Sequence, residues 1–353
     1  MATDTEITHI KPAHAQRIAT DLLRAHGVGS TDAVTIAEQL VLADLRGVDT
    51  HGLIRLPGYI GRVEAGDLHP DHAPTVMHET PGTAMVDGGH NFGQVVAAHA
   101  MTIAIEKAKT VGVGTVTAKN SSHFGAAATF AIMAAEAGCM GIAATNGWPL
   151  MPGVGGAERT IGNNPLAIAA PTRLGYPMVV DIAMSQVAAG KLRVALALGQ
   201  KIPLDWAFDN TGMPTDDPHE ALFNGGLLRP VGDHKGFGLA VMIDVLSGVL
   251  SGGMFGTDVT SDQPGYSNVG HFFTAINIDA FGGLEHFLDR IDELAHSIQA
   301  SKTRPGAKDA VMVPGQPEAR TTANRQRDGI PYPTPVWEKL TNLAATSGVA
   351  VSD

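Results

Sequence analysis

Between residues 113 and 199 short apolar runs alternate with helix-like stretches, and this alternation constrains the fold more than any other feature of the chain. Residues 113–118, 140–145, 166–170 and 178–182 have the length and apolar content of strands, while 124–137 and 185–199 read as helices. Strands this short, interleaved with helices, point to an α/β or α+β sheet domain. The same reading gives a strand at 84–88, a long helix at 92–111, an apolar helix at 235–250, a strand at 272–278 and an amphipathic helix at 283–300. Helices at 11–27 and 30–47 precede the sheet region, and residues 66–82, rich in Pro, His and Asp, read as a linker. Residues 200–234 are irregular, and a strand at 310–313 with two short helical stretches closes the chain. At 353 residues, two interlocked subdomains are expected, with the helical ends packed together around the sheet.

Net charge bounds the partners. The chain carries a formal charge of -11 with no basic cluster, which argues against nucleic acid and anionic membrane surfaces. No apolar window is long enough to span a bilayer, since the best, 237–250, is interrupted by Asp244 and Gly248. Cys139 is the sole cysteine, so no disulfide framework can form within the chain. With an acidic N-terminus lacking an apolar leader, the chain reads as a cytoplasmic protein.

Five segments concentrate reactive side chains. The densest runs from Asp49 to Tyr59 and places His51, Arg55 and Tyr59 at i, i+4 and i+8, one helical face if the segment is regular. Pro57 disturbs that regularity, so the helix either starts near Leu56 or kinks, and spacing alone does not support Tyr59. A proton carrier beside an arginine suits small hydroxy acids; the plainer reading is an Arg55–Asp49 ion pair. The second segment, Asn120 to Gly125, lies where a strand gives way to a helix, a position that would lower the pKa of His123. The third is the Gly/Pro-rich loop 146–164, in which Asn163 can hydrogen-bond a carboxylate or carboxamide. In the fourth, Asp181 ends a strand and can accept from a ribose or serve as a turn residue. In the fifth, Lys235 opens an apolar helix, against the macrodipole, and so either meets an anion such as a cofactor phosphate or stands in solvent.

Other chemistries are disfavoured. Gly112-Val113-Gly114 precedes a strand and lacks the third glycine of a dinucleotide fingerprint. No H-E-x-x-H, Cys pair or tightly spaced His set suggests a metal, and no G-x-S-x-G elbow is present.

Taken in chain order, Asp44-Leu45-Arg46-Gly47 with Thr50-His51-Gly52 and Arg55, Asn120 to Gly125, Asn163-Asn164-Pro165, Asp181-Ile182-Ala183, the run from Gly199 to Asp209, His234-Lys235-Gly236, Pro314-Gly315 and Asp328-Gly329-Ile330-Pro331 resemble the malate/L-lactate dehydrogenase family. That family also includes ureidoglycolate, L-sulfolactate and piperideine-2-carboxylate oxidoreductases and is distinct from the Rossmann-type lactate and malate dehydrogenases. The resemblance implies an α/β, L-sulfolactate dehydrogenase-like, non-Rossmann sheet domain (residues 76–283) that binds NAD or NADP. It would be inserted into a helical domain built from both termini (1–75 with 284–353), in a homodimer or higher homo-oligomer. It implies hydride transfer between the nicotinamide and a small 2-hydroxy or 2-oxo carboxylic acid of malate or L-lactate type. His51 and His123 would be the active-site histidines, either one carrying the proton, with Thr50 orienting His51. Arg55 would bind the substrate carboxylate and Asn163 would contact substrate. His123, Phe124, Gly125, Ala126, Ala127, Asp181, Ile182, Ala183, His234 and Lys235 would line the cofactor. Lys191 stands where imine-reducing members carry an acidic relay residue, which favours a hydroxy acid over a cyclic imino acid. A non-catalytic protein retaining the fold is the remaining alternative.

Overall fold

The computed structural model describes residues 6–260 and 267–351; the acidic residues 1–5 lie outside it. The chain opens with β1 (Ile7–Ile10), α1 (Pro12–Ala25) and α2 (Ser30–Leu45), passes through two short 3₁₀ turns (Asp49–His51 and Leu53–Arg55), and enters α3 (Leu56–Glu64). Next come β2 (Thr75–Glu79), β3 (Thr83–Asp87), α4 (Gly93–Val111), β4 (Val113–Ser121), α5 (Ala127–Glu136), β5 (Cys139–Thr145), β6 (Leu166–Ala170) and β7 (Met178–Ile182). A more irregular region holds α6 (Ala189–Ala197), β8 (Ala207–Phe208), α7 (Pro218–Phe223), β9 (Leu227–Leu228) and α8 (His234–Asp244). The chain ends with β10 (Val269–Asn277), α9 (Leu284–Gln299), α10 (Gln316–Asp328), β11 (Ile330–Pro333) and α11 (Thr334–Thr346).

The architecture is α/β, built on a mixed seven-stranded sheet in the order β2-β3-β4-β10-β5-β6-β7. β3 runs parallel to β4, whereas β10 is antiparallel to both β4 and β5, and β5, β6 and β7 alternate in direction. Strands β3, β4, β5 and β7 therefore share one direction, and their carboxyl ends meet on one edge. One face of the sheet is covered by α4 and α5, whose alanines interlock with it: an added Cβ at Gly114 would meet Ala104 O at 2.0 Å, and one at Gly141 would meet Ala131 O at 2.3 Å. Helix backbones that close leave room only for glycine in the strand, which is why this core reads as Ala and Gly. Phe124, Phe130 and Phe273 supply its bulk and are fully buried, each worth roughly 1.5–3 kcal/mol of transfer free energy.

A second core joins the two ends of the chain. Ile18, Leu22, Ile36 and Leu40 of the first helices pack with Leu56 and Ile60 of α3 and with Ile330, Tyr332, Trp337 and Leu340 from the C-terminus. Phe287, Ile291 and Leu294 of α9 instead face the sheet beside Met140, Ile168 and Met178. A third cluster, including Leu150, Met184, Leu192, Leu228 and Ile243, supports the loops between β5 and α8.

The elements depart from the sequence expectations in several places. Residues 66–82 are not only a linker: β2 forms there as an exposed edge strand whose bulge between Val76 and His78 hides the period-two pattern. β1 and β11 form an unexpected antiparallel ribbon, in which Ile10 faces Ile330; the prolines in Ile-Pro-Tyr-Pro mask the strand. No strand forms at 310–313, although Pro314 O accepts a hydrogen bond from Val179 N. The apolar helix at 235–250 is α8 followed by a π-helical turn over Val245–Val249.

Asp44, at the end of α2, ties both termini to the reactive turn. Its carboxylate is 1% exposed and accepts from Leu53 N (2.9 Å) and Tyr332 Oη (2.6 Å). A Cβ at residue 52 would lie 1.7 Å from Asp44 Oδ1, so Gly52 is obligatory beside it. Burial pushes the Asp44 carboxyl up to about 7, despite both hydrogen bonds. Asp44→Ala should leave two buried donors unpaired and destabilise the fold by about 2–6 kcal/mol in urea unfolding. A loss below about 1 kcal/mol would show that neither bond matters.

Candidate active site

The carboxyl edge of the sheet meets the N-terminal helices at a cavity of about 450 Å³. From the helical side come Arg46, Thr50, His51, Arg55, Tyr59 and Arg62, with Glu318 of α10. From the sheet side come His123 to Ala128 after β4, Thr145 to Trp148 after β5, Asp181 of β7, and Asn163.

Each helical-side group is placed by a local device. His51 ends the first 3₁₀ turn, Gly52 breaks it with extended backbone, and Arg55 stands immediately before α3. The three-residue helical face expected from spacing is therefore absent, yet all three side chains reach the cavity. Pro57 sits in the first turn of α3, where its missing N–H costs nothing, so the helix carries Tyr59 into the site. Arg55 does not pair with Asp49; its Nε donates to Thr50 O (2.7 Å), while Asp49 pairs with Arg325 of α10. Thr50 Oγ1 lies 2.9 Å from His51 Nδ1.

The two histidines meet across the cavity wall, rings stacked with centroids 5.4 Å apart. Tyr59 Oη lies 2.6 Å from His123 Nδ1, and Gly125 N donates more weakly to the same nitrogen at 3.4 Å. Burial first, and Arg55 second, bring His51 down to about 4. His123 is pushed well below the ordinary histidine value by burial, then by His51 and Arg55. The sequence reading placed His123 at a helix start, but α5 begins at Ala127; desolvation and cationic neighbours lower it, not a helix terminus. Burial holds Tyr59 up to about 12, so the phenol keeps its proton.

Behind them His271 of β10 is fully buried, bonded through Nδ1 to Thr145 Oγ1 (2.8 Å) and through Nε2 to Ser121 Oγ (2.7 Å), and stacked on Phe124. It stitches the ends of β4 and β5 together across β10, and burial brings it down to about 3.

On the far wall Asp181 Oδ2 accepts from Ala128 N (2.8 Å) in the first turn of α5. Its carboxyl remains accessible, but crowding by the walls raises its pKa, with the Ala128 bond and Arg46 opposing. Ala183 lines the same cavity, whereas Ile182 points to the other face of β7 and is 45% exposed. His234 and Lys235 open α8 in exposed positions and do not line the cavity, nor does Lys191. Sequence reasoning set Tyr59 aside and gave no role to Arg62, Asn146 or Glu318. For Tyr59 the available signal was Pro57 itself, a first-turn residue more often than a helix breaker.

The geometry sets the Arg55 guanidinium beside two histidines that the surroundings hold neutral. The chain belongs to the malate/L-lactate dehydrogenase family, whose model matches residues 10–341. It is similar to the malate dehydrogenase of Pyrococcus abyssi (strain GE5 / Orsay), 41% identical over 92% of this chain and 90% of that protein. It is 36% identical to the L-sulfolactate dehydrogenase of Methanocaldococcus jannaschii, over 98% of each. The fold matches the crystal structure of malate dehydrogenase from Entamoeba histolytica with a TM-score of 0.95 and 30% identity, covering 98% of this chain and 99% of that one.

The three histidines with lowered pKa values make stability depend on pH. His51, His123 and His271 have folded pKa values below the unfolded one, so the folded state binds fewer protons and loses stability as pH falls below about 6.5. Asp44 acts oppositely, gaining stability as pH falls from about 7 toward its unfolded value. Three histidines outweigh the one carboxyl held near 7, so the net expectation is a loss of stability as pH falls from 7 to 5. Urea midpoints at pH 7 and pH 5 measure it, and equal midpoints would mean that the fold does not hold these histidines neutral.

Proposed function

We propose that the protein is a dehydrogenase that moves a hydride between NAD or NADP and a small 2-hydroxy or 2-oxo carboxylic acid of malate or L-lactate type. The observation that carries this reading is the convergence of His51, His123, Arg55 and Tyr59 on one cavity at the carboxyl edge of the sheet. The residues present suit a dinucleotide. Arg46 lines the cavity and its buried Nε has no hydrogen-bond partner among the described residues, an arrangement that favours an anion. Gly125, Ala126 and Ala127 keep the wall low at the start of α5, and Asp181 stands where a ribose hydroxyl can donate to it. Bound NAD or NADP would supply the hydride acceptor, or the donor in the reverse direction.

The chain's own groups do the rest. The Thr50 bond fixes the guanidinium of Arg55, whose planar fork matches a carboxylate. A backbone N–H can only donate, so the Gly125 contact makes His123 Nδ1 an acceptor; Tyr59 donates to it, and the proton of His123 rests on Nε2. His123 then offers an N–H to the substrate oxygen. We assign the base to His51: Thr50 Oγ1 is placed to accept its Nδ1–H, and in that tautomer Nε2 takes the hydroxyl proton and returns it when the 2-oxo acid is reduced. Thr50 thereby orients His51, and Asn163 completes the substrate wall.

Two further readings rest on the same structure. Leu239, Met242, Val245, Val249, Leu250, Met254 and Phe255 form an exposed apolar row on α8 and beyond, which suits a second copy of the chain. Cys139 is a buried free thiol, in keeping with a reducing, cytoplasmic setting.

A spectrophotometric screen of 2-oxo acids against NADH and NADPH tests the activity. Oxaloacetate or pyruvate should be reduced; activity confined to piperideine-2-carboxylate would reassign the enzyme to imine reduction, and inertness across the panel would leave a non-catalytic fold.

The residue roles are tested separately. Arg55→Lys should raise KM sharply with less effect on kcat, because the bidentate fork is lost. Tyr59→Phe should lower kcat by roughly tenfold or more at little cost in KM, a part of the ~10²–10⁴-fold that positioned proton transfer contributes. Unchanged kinetics in either variant would remove that residue from its role.

A further inference from the structure

Among the described residues, a cluster of ligating side chains lies outside the cavity, in the segment between α3 and β2. His69, Asp71 and His72 occur within His-Pro-Asp-His, and a ligand atom from each lies within 4.8 Å of the others. The His69 and His72 rings stack with centroids 4.7 Å apart and planes 10° from parallel. His72 Nδ1 is 3.1 Å from Gly89 O. A carbonyl only accepts, so Nδ1 carries the hydrogen and Nε2 presents its lone pair outward. This is how a ligating histidine is commonly oriented, with the second ring nitrogen given to a backbone carbonyl.

The segment is also held in place by its main chain. His69 N donates to His90 O (3.0 Å), His72 N donates to His69 O (3.1 Å), and Asn91 Nδ2 donates to His72 O (2.8 Å). These bonds close a compact turn against the Gly88-Gly89-His90 corner at the carboxyl end of β3. The sequence reading found no tightly spaced histidines because it sought H-E-x-x-H and cysteine pairs; His69 and His72 are three residues apart across a proline.

We propose that His69, Asp71 and His72 form a binding site for a divalent transition-metal ion such as Zn²⁺. Two imidazoles and one carboxylate are the donor set of zinc and its neighbours; Ca²⁺ and Mg²⁺ take all-oxygen sets. Three ligands from four consecutive residues leave a coordination position open to water or to a further side chain. His90, whose ring lies 6.5 Å from that of His69, is the nearest candidate on the adjoining corner. The ion's place in the fold gives it a structural consequence. His90 N donates to Asn120 O (2.8 Å), Ser122 Oγ donates to Asn91 O (3.2 Å), and Phe92 packs edge-on against Tyr59. An ion at residues 69–72 therefore braces the wall that carries Tyr59 and His123, without touching the cavity.

The experiment uses the untagged full-length protein, stripped with chelator and returned to metal-free buffer. Zn²⁺ is titrated by calorimetry, and Co²⁺ by its visible d–d absorption. The expected result is one saturable ion per chain with a rise in melting temperature. Binding should be lost in His69→Asn/His72→Asn and weakened by about tenfold or more in Asp71→Asn. Absence of saturable binding in the unmodified chain overturns the proposal, as does undiminished affinity in the double variant, which would place the ion elsewhere. Should the double variant not fold, as judged by circular dichroism, Asp71→Asn at its exposed position decides: unchanged Co²⁺ affinity and spectrum would refute the site. None of these readouts depends on dehydrogenase activity.

Discussion

The hydrogen bonds accepted by one buried carboxylate, Asp44, hold the reactive turn in place. Its two donors come from opposite directions: Leu53 N from the turn itself, and Tyr332 from the β11 strand nearly three hundred residues later. Packing Gly52 onto the carboxylate forces the chain to leave the first 3₁₀ turn in extended conformation and re-enter helix at Leu56. That excursion lets His51 and Tyr59, eight residues apart, address the same partner, His123, from two sides. Arg325 adds a second tie from α10 to the same turn, pairing with Asp49 and with Asp44 O. The N-terminal turn is therefore shaped by the C-terminal segment, and neither end of the chain can build its half of the site alone.

The electrostatics of the site oppose protonation of its histidines. His51 and His123 lie close to each other and to Arg55, so each positive charge raises the cost of the next. Under the proposed mechanism, a carboxylate at Arg55 would offset the nearest cation and bring a negative charge within reach of His51. Under the proposed mechanism, the anionic substrate therefore raises the proton affinity of the group that must accept its proton. In that proposal one charge both identifies the acid and tunes the base.

Much of this was legible in the sequence, and the failures share a cause. The strands at residues 140–145, 166–170 and 178–182 coincide with β5, β6 and β7 within a residue, because short apolar runs bounded by Gly or Pro are a local signal. His51, Arg55, His123, Asn163 and Asp181 do meet on one cavity. What the sequence hid was non-local. β1 and β11 define each other only by pairing across the whole chain, and β2 lacks an apolar face because it is an exposed edge strand. Asp44 reads as an ordinary acidic residue near a helix end until Tyr332 is brought to it. Tyr59 was discounted on the regularity of a helix spanning residues 51–59, when the site depends on that helix being broken at Gly52.

The sheet order explains why this cavity has its width without a Rossmann crossover. In a doubly wound sheet, a ligand crevice opens where adjacent parallel strands send their connections to opposite sides. Here β4 and β5 run parallel, but β10 lies between them, antiparallel to both. With neighbouring strands about 4.8 Å apart, the ends of β4 and β5 are separated by about 10 Å rather than 5. The inserted strand would leave a gap at that edge, and His271 closes its floor by bonding Ser121 on one side and Thr145 on the other. Phe124 stacks on His271 and roofs the core beneath the cavity. Above that floor, His123 and Asn146 stand on opposite banks of a cleft two strand spacings wide. No glycine-rich fingerprint is needed, because the opening is made by strand order and not by a tight phosphate-binding turn.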